Sequence, residues 1–158
     1  MVDVLSHKAP LSIAQLFDLQ GQMIGVSDWI TIDQASINAF ADVTRDWQYI
    51  HVDEQAASQS PFGGTIAHGF LTLSLLSAMA ADAMPPIKEL TSSINYGMNS
   101  VRFLNPVHSG KRVRGHFLLK ALTEKAVGRY QMTLEVTIEI EDETKPALVA
   151  EWLSLLNL

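Results

Sequence analysis

Asp46 and His51 stand five positions apart in the most polar stretch of the chain, Asp46-Trp47-Gln48-Tyr49-Ile50-His51-Val52-Asp53. A carboxylate and an imidazole at this spacing, in a loop between two helical patterns, make an acid/base pair: one group takes a proton from water while the other gives or orients one. The same residues also read as a turn cap and a packed histidine, and spacing alone favours that structural role. A second feature is His68-Gly69 in the first turn of an apolar helical pattern. Unpaired backbone N–H groups there can stabilise an oxyanion, and glycine permits close approach because it has no side chain. A glycine that lets a strand cross the helix tightly explains it equally well.

Other chemistry is weaker. His51, Asp53, Glu54 and His68 show neither H-x3-H nor H-E-x-x-H spacing, so no metal site is expected. Lys111, Arg112 and Arg114, flanked by Arg102 and His116, form a basic run that meets the phosphates of an anionic ligand or simply lines a solvated strand face. His7, His108 and His116 have no partner in sequence that assigns them a role. Gly-x-Gly-x-x-Gly and P-loop patterns are absent, so no bound nucleotide cofactor is expected. The chain has no cysteine, which excludes a disulfide framework, a thiolate nucleophile and cysteine-ligated zinc, and fits a reducing cytoplasm. With 11 basic and 17 acidic residues the net charge is −6, which argues against a general nucleic-acid binder.

The elements that must position these residues follow from periodicity. Leu11 to Leu19 reads as a short amphipathic helix, and Val26 to Ile32 as extended after Gly21 and Gly25. Asp33 is an N-cap, with Ile32 and Ile37 as a hydrophobic staple, for a helix from Gln34 to Arg45. From Asp46 to Gly64 a loop is expected, with one helical turn near Glu54 to Ser58. Ile66 to Met84 is apolar nearly all round and rich in Ala and Ser, which predicts a helix enclosed on most sides until Pro85-Pro86 ends it. Its uncharged part, Thr65 to Ala81, falls at the minimum of about 17 residues for a membrane span and carries Thr65, His68, Thr72, Ser74 and Ser77, so a buried helix is the expectation. From Met1 to Gln22 no apolar run suits a secretory leader.

Tyr130 to Ile140 alternates apolar and polar residues without a fault, the period of a half-buried antiparallel strand. Segments 91–104, 111–123 and 147–156 add three more strands, with turn signals at Asn105-Pro106, Ser109-Gly110, Gly128 and Lys145-Pro146 between them. One buried helix followed by long antiparallel strands implies a single α+β domain, residues 1–158, in which the sheet wraps the helix. Hot-dog architecture meets that demand. Such a sheet has edges, and pairing with a second copy is one remedy, so a homodimer is expected.

Taken together, Asp46…His51, Gly64-Thr65-Ile66-Ala67-His68-Gly69 and Val101-Arg102-Phe103-Leu104-Asn105-Pro106-Val107 resemble the MaoC dehydratase family, whose (R)-specific enoyl-CoA hydratases carry an Asp-x4-His pair followed by a Gly-x-Ile-x-His-Gly helix start. The resemblance runs from about residue 23 to the C-terminus. It implies a cofactor-free lyase that adds water to a trans-2-enoyl thioester, with Asp46 and His51 holding the water and Gly69 N–H binding the thioester carbonyl. It also implies substrate contacts from Gly64 and His68, and from Ser77, which matches a serine near the acyl chain. Gln48 and Tyr49 stand where many members have Asn and Pro, and Gly110-Lys111 stands where many have Gly-Asp. Gln48 and Tyr49, with Trp47, either line the acyl tunnel or only pack. Implied partners are acyl-CoA or an acyl-carrier thioester. Two rivals share these signals: a hot-dog acyl-CoA thioesterase, and a non-catalytic acyl-thioester-binding accessory protein of the nodulation-associated kind.

Overall fold

The computed structural model describes residues 8–158; His7 and the start of the segment scanned for a leader lie outside them. Helix α1 (Ile13–Asp18) is held by a reciprocal capping box between Ser12 and Gln15. Strand β1 (Gln22–Val26) and the short β2 (Ile30–Thr31) follow, so extended backbone begins before the stretch expected from Val26 to Ile32. Gly25 is what permits this: a Cβ there would overlap the Ala83 carbonyl, so only glycine lets β1 lie this close to the central helix.

Helix α2 (Gln34–Thr44) starts where expected. Asp33 accepts from Ser36 N–H and Ser36 Oγ, and both Ile32 and Ile37 are buried in the core. The segment expected to be a loop contains two single turns, α3 (Tyr49–Val52) and α4 (Glu54–Ser58). Only the second was legible, because one turn is too short to show a period and α3 has no side-chain cap.

The expected helix from Ile66 to Met84 is instead α5 (Gly69–Ser74) and α6 (Leu76–Ala83), joined at Leu75, whose N–H is shared between the Leu71 and Leu73 carbonyls. Ile66 to His68 stay extended because Ile66 bridges His108 and Ala67 N–H bonds the Val107 carbonyl, and these partners outcompete a helical first turn. One face of the helix, with Leu76, Met79 and Ala83, enters the same core as Phe117, Leu119 and Leu134 of the sheet. The opposite face, Phe70, Ser74, Ser77, Ala78 and Ala81, is exposed, so within this chain the helix is covered on one side and not on most sides.

Strands β3 (Ser92–Phe103), β4 (Arg112–Ala126), β5 (Arg129–Ile140) and β6 (Leu148–Asn157) complete an antiparallel six-stranded sheet ordered β1-β4-β5-β6-β3, with β2 beside β4. Gly128, at φ 72°, turns β4 into β5. The alternation of β5 does what its period requires: Met132, Leu134, Val136, Ile138 and Ile140 are buried. This antiparallel sheet curved about a central helix is the hot-dog fold.

Candidate functional site

The turn of α3 buries His51, which is 7% exposed, and its Nδ1 lies 2.7 Å from the Ile66 carbonyl oxygen. A carbonyl only accepts, so Nδ1 carries the proton and Nε2 keeps a lone pair. Burial, above all, holds the imidazole below its ordinary pKa, and the neighbouring His68 ring adds to this; the Ile66 carbonyl and Asp46 pull the other way. His51 is therefore a neutral base at pH 7.

Asp46 is exposed, just after the left-handed Arg45 that ends α2. One carboxylate oxygen accepts weakly from Gln48 N–H at 3.4 Å, so the turn-cap reading holds alongside the chemical one. Donor atoms of Asp46, His51 and His68 all lie within 4.8 Å of one another. A single water reaches a carboxylate and an imidazole across such a span.

His68 does not face the cavity that His51 lines. It is 3% exposed, wedged between the Phe40 ring at 5.0 Å and the His51 ring, which stacks on it at 3.9 Å. Its Nε2 donates to the Asp46 carbonyl at 2.9 Å, and its Nδ1 is buried without a partner among the described residues. It thus touches both members of the acid/base pair, one by a hydrogen bond and one by its ring face. Where the resemblance implies a substrate contact, the structure packs the ring between Phe40 of α2 and His51 of α3, outside the cavity lining.

Gly69 opens α5, and its N–H has neither an intrahelical acceptor nor another among the described residues. A Cβ at this position would come 2.9 Å from two atoms of the Phe103 ring. Around this bare amide lies a cavity of about 420 Å³ lined by His51, Gly69, Phe70, Thr72, Phe103 and Asn105 among others. Most of its wall is apolar, which suits the chemistry of an acyl group better than that of a sugar or a phosphate.

Gly64, Gln48, Tyr49 and Ser77 do not line this cavity. Gln48 and Tyr49 are exposed because α3 turns its buried side, His51, toward the core. Gly64 has open space where a Cβ would be, and Ser77 lies two turns farther along the helix, at a different cavity. Three participants were missed. Gln34 donates to the His51 carbonyl at 2.7 Å and accepts from Thr65 Oγ1 at 2.6 Å, tying α2 to both halves of the site; nothing in an amphipathic helix pattern marks it. Thr72 is buried against the cavity, and a polar residue three positions after Gly69 on an apolar helix was a usable signal. Asn105 comes from the Asn-Pro-Val turn, whose residues were noted for their resemblance but given no part in the site.

The basic run lies elsewhere. On the outer sheet face Arg112 pairs with Glu141, while Arg114 and His116 both pair with Glu139, and Arg114 stacks on Trp29 at 4.4 Å. Hydrogen bonds from Arg114 and Arg112 hold the carboxyls of Glu139 and Glu141 below the usual range. A solvated, internally neutralised strand face accounts for these residues. Among the described residues no helix is long and apolar enough to cross a membrane.

Residues 18–143 match the family model of the MaoC like domain. The chain is 53% identical to "Nodulation protein N" of Rhizobium leguminosarum bv. viciae, over 93% of this chain and 92% of that protein. It is 46% identical to "3-hydroxyacyl-thioester dehydratase Z" of Mycobacterium tuberculosis, over 89% and 92%. Among solved structures, the (R)-hydratase from A. caviae involved in PHA biosynthesis superposes with a TM-score of 0.70 at 27% identity, covering 85% of this chain and 94% of that one.

Proposed function

Because the chain belongs to the MaoC-like hot-dog dehydratase family, we propose that it catalyses the reversible syn hydration of a trans-2-enoyl thioester to a (R)-3-hydroxyacyl thioester, as acyl-CoA or on an acyl carrier, without a cofactor or metal. The single observation that carries this reading is the convergence of a buried neutral imidazole and a carboxylate beside a bare helix amide in an apolar cavity.

In this reaction His51 Nε2 takes one proton from a water whose other O–H stays intact and donates a hydrogen bond to the Asp46 carboxylate. The oxygen bonds to the β-carbon, the C=C electrons move onto the thioester oxygen, and Gly69 N–H stabilises that enolate-like charge more than it stabilises the ground-state carbonyl. The Asp46/His51 pair then returns the proton to the α-carbon on the same face. The handedness is that of the (R)-hydratases the chain resembles.

We assign the working form to a homodimer. The β3 edge carries exposed Ile94, Tyr96 and Phe103, and the uncovered helix face carries Phe70, a combination that a second copy buries. A cytoplasmic location agrees with the lack of cysteine.

The test is loss of enoyl absorbance with crotonyl-CoA and longer substrates, together with Asp46→Asn and His51→Ala. Each variant is expected to lose about 10²- to 10⁴-fold in kcat, and full activity in both would remove the mechanism. The identity to Nodulation protein N favours a second reading, an accessory protein that binds acyl thioesters without turnover. Binding across chain lengths with no absorbance change would support it. Release of free thiol would instead mark a thioesterase.

A further inference from the structure

A second cavity, of about 370 Å³, lies between α6 and the inner faces of β3, β5 and β6, and is lined by Ser77, Met132 and Leu156 together with the buried Ser154. Ser154 is the anomaly. On β6 it takes the inward place between Trp152 and Leu156, is 3% exposed, and its hydroxyl has no hydrogen-bond partner among the described residues. The hydroxyl opens onto the cavity, where it can both donate to and accept from whatever fills that space. Its register partner across the strand pair is Asn95, so the two side chains share one face.

Asn95 is itself oriented. Trp152 Nε1 donates to its Oδ1 at 2.8 Å, and since an indole only donates, the amide oxygen is fixed toward the ring. The two Nδ2 hydrogens point away from the indole and have no acceptor among the described residues. Ser93, also on β3, and Ser77 on the helix add two more hydroxyls without partners, both at the exposed side of the cavity. One wall thus offers donors and acceptors together, with no charged side chain in the lining. That combination fits a neutral oxygen, not a carboxylate or a phosphate.

Ser77 stands eight positions after Gly69, about 12 Å along the helix at 1.5 Å per residue, the reach of a medium-length acyl chain whose thioester lies at Gly69. We propose that this second cavity receives the far end of the acyl chain and selects chains that carry a hydroxyl or keto group there, with Ser154 and the Asn95 amide as the recognising pair. This inference rests on the hydratase reading for the position of the thioester.

The experiment compares kcat/KM for trans-2-decenoyl-CoA with that for its 10-hydroxy derivative, with crotonyl-CoA as the reporter of hydratase activity. The hydroxylated chain is expected to be favoured about fivefold, through KM and not kcat, the size of one added neutral hydrogen bond. Ser154→Ala, which removes only a cavity-lining hydroxyl with no protein partner among the described residues and so leaves the fold intact, is expected to bring the ratio close to one. A wild-type ratio of one or less with crotonyl-CoA turned over normally overturns the proposal and leaves the hydratase reading intact, as does a preference that survives Ser154→Ala. If none of the three thioesters is turned over, the hydratase reading fails instead. Calorimetric binding of decanoyl-CoA and 10-hydroxydecanoyl-CoA then decides: a preference lost in Ser154→Ala supports the cavity assignment, and equal affinities or no binding overturn it.

Discussion

The imidazoles of His51 and His68 stack with centroids 3.9 Å apart and planes 26° from parallel, and the second ring also holds the backbone of Asp46. In the proposed reaction His68 would therefore set the separation of Asp46 and His51 without entering the cavity. His68→Ala is expected to lower kcat about 10- to 100-fold while changing KM little, because small displacements of a catalytic group from attack geometry are costly and binding is left alone. A rise in KM at constant kcat would return His68 to a substrate contact. Steady-state kinetics on crotonyl-CoA distinguishes the two.

Acid sensitivity follows from the burial of His51. Its folded pKa lies below 6.5, mainly through burial, whereas the unfolded chain titrates at the ordinary histidine value. As pH falls through 6.5 the unfolded state binds the proton first, so stability drops until the folded imidazole also titrates and then levels off. Urea midpoints measured from pH 7.5 downward should show this slope in the native protein and lack it in His51→Gln. The acidic limb of kcat/KM should likewise have its midpoint below 6.5, since the base must be neutral.

Gly69 separates fold from chemistry. A methyl group there comes within 2.9 Å of the Phe103 ring, a side chain that can shift by a few tenths of an ångström, so Gly69→Ala is expected to cost about 1 kcal/mol, or roughly 2–4 °C in Tm for a chain of this size. The same methyl sits beside the bare amide that meets the carbonyl, and kcat/KM should fall about 10²-fold. Retained activity in a well-folded Gly69→Ala protein would dismiss the amide as the oxyanion donor.

The residues that the structure brings together as Asp46, His51 and Gly69 were legible because they are local in sequence. Asp46 and His51 are five positions apart, and Gly69 lies in the first turn of the helix expected from Ile66, although the helix itself begins at Gly69. What escaped depends on elements far apart in sequence. Gln34 acts through contacts to positions 17 and 31 residues away, and no pattern within α2 records them. The resemblance implies a substrate contact from His68; tertiary packing against Phe40 and His51 places its ring outside the cavity lining. Ser77 carried a resemblance but no depth, and the fold places it at the second cavity. The strands were placed well because period-2 alternation is rigidly tied to one buried face, while β1 was shortened in expectation because two glycines imitate a break.

The uncovered side of the central helix gives the last prediction. Phe70, Ser74, Ser77, Ala78 and Ala81 fall on one face, and apart from Phe70 their small side chains let another surface approach closely. Beside them, among the described residues, β3 pairs with β6 alone and leaves its other edge free, and the second cavity opens between helix and strand. Two copies joined along this face would bury the exposed phenylalanine and pair the free edge at once. Ala78→Lys places a charge at the centre of that surface yet stays solvated in a single chain, so folding should survive while association does not. Sedimentation equilibrium is expected to give twice the chain mass for the native protein and the chain mass for Ala78→Lys, accompanied by a fall in kcat/KM as the cavity lined by Phe70 loses its cover. A native protein that sediments as a monomer with full activity would mean that one chain holds the whole site.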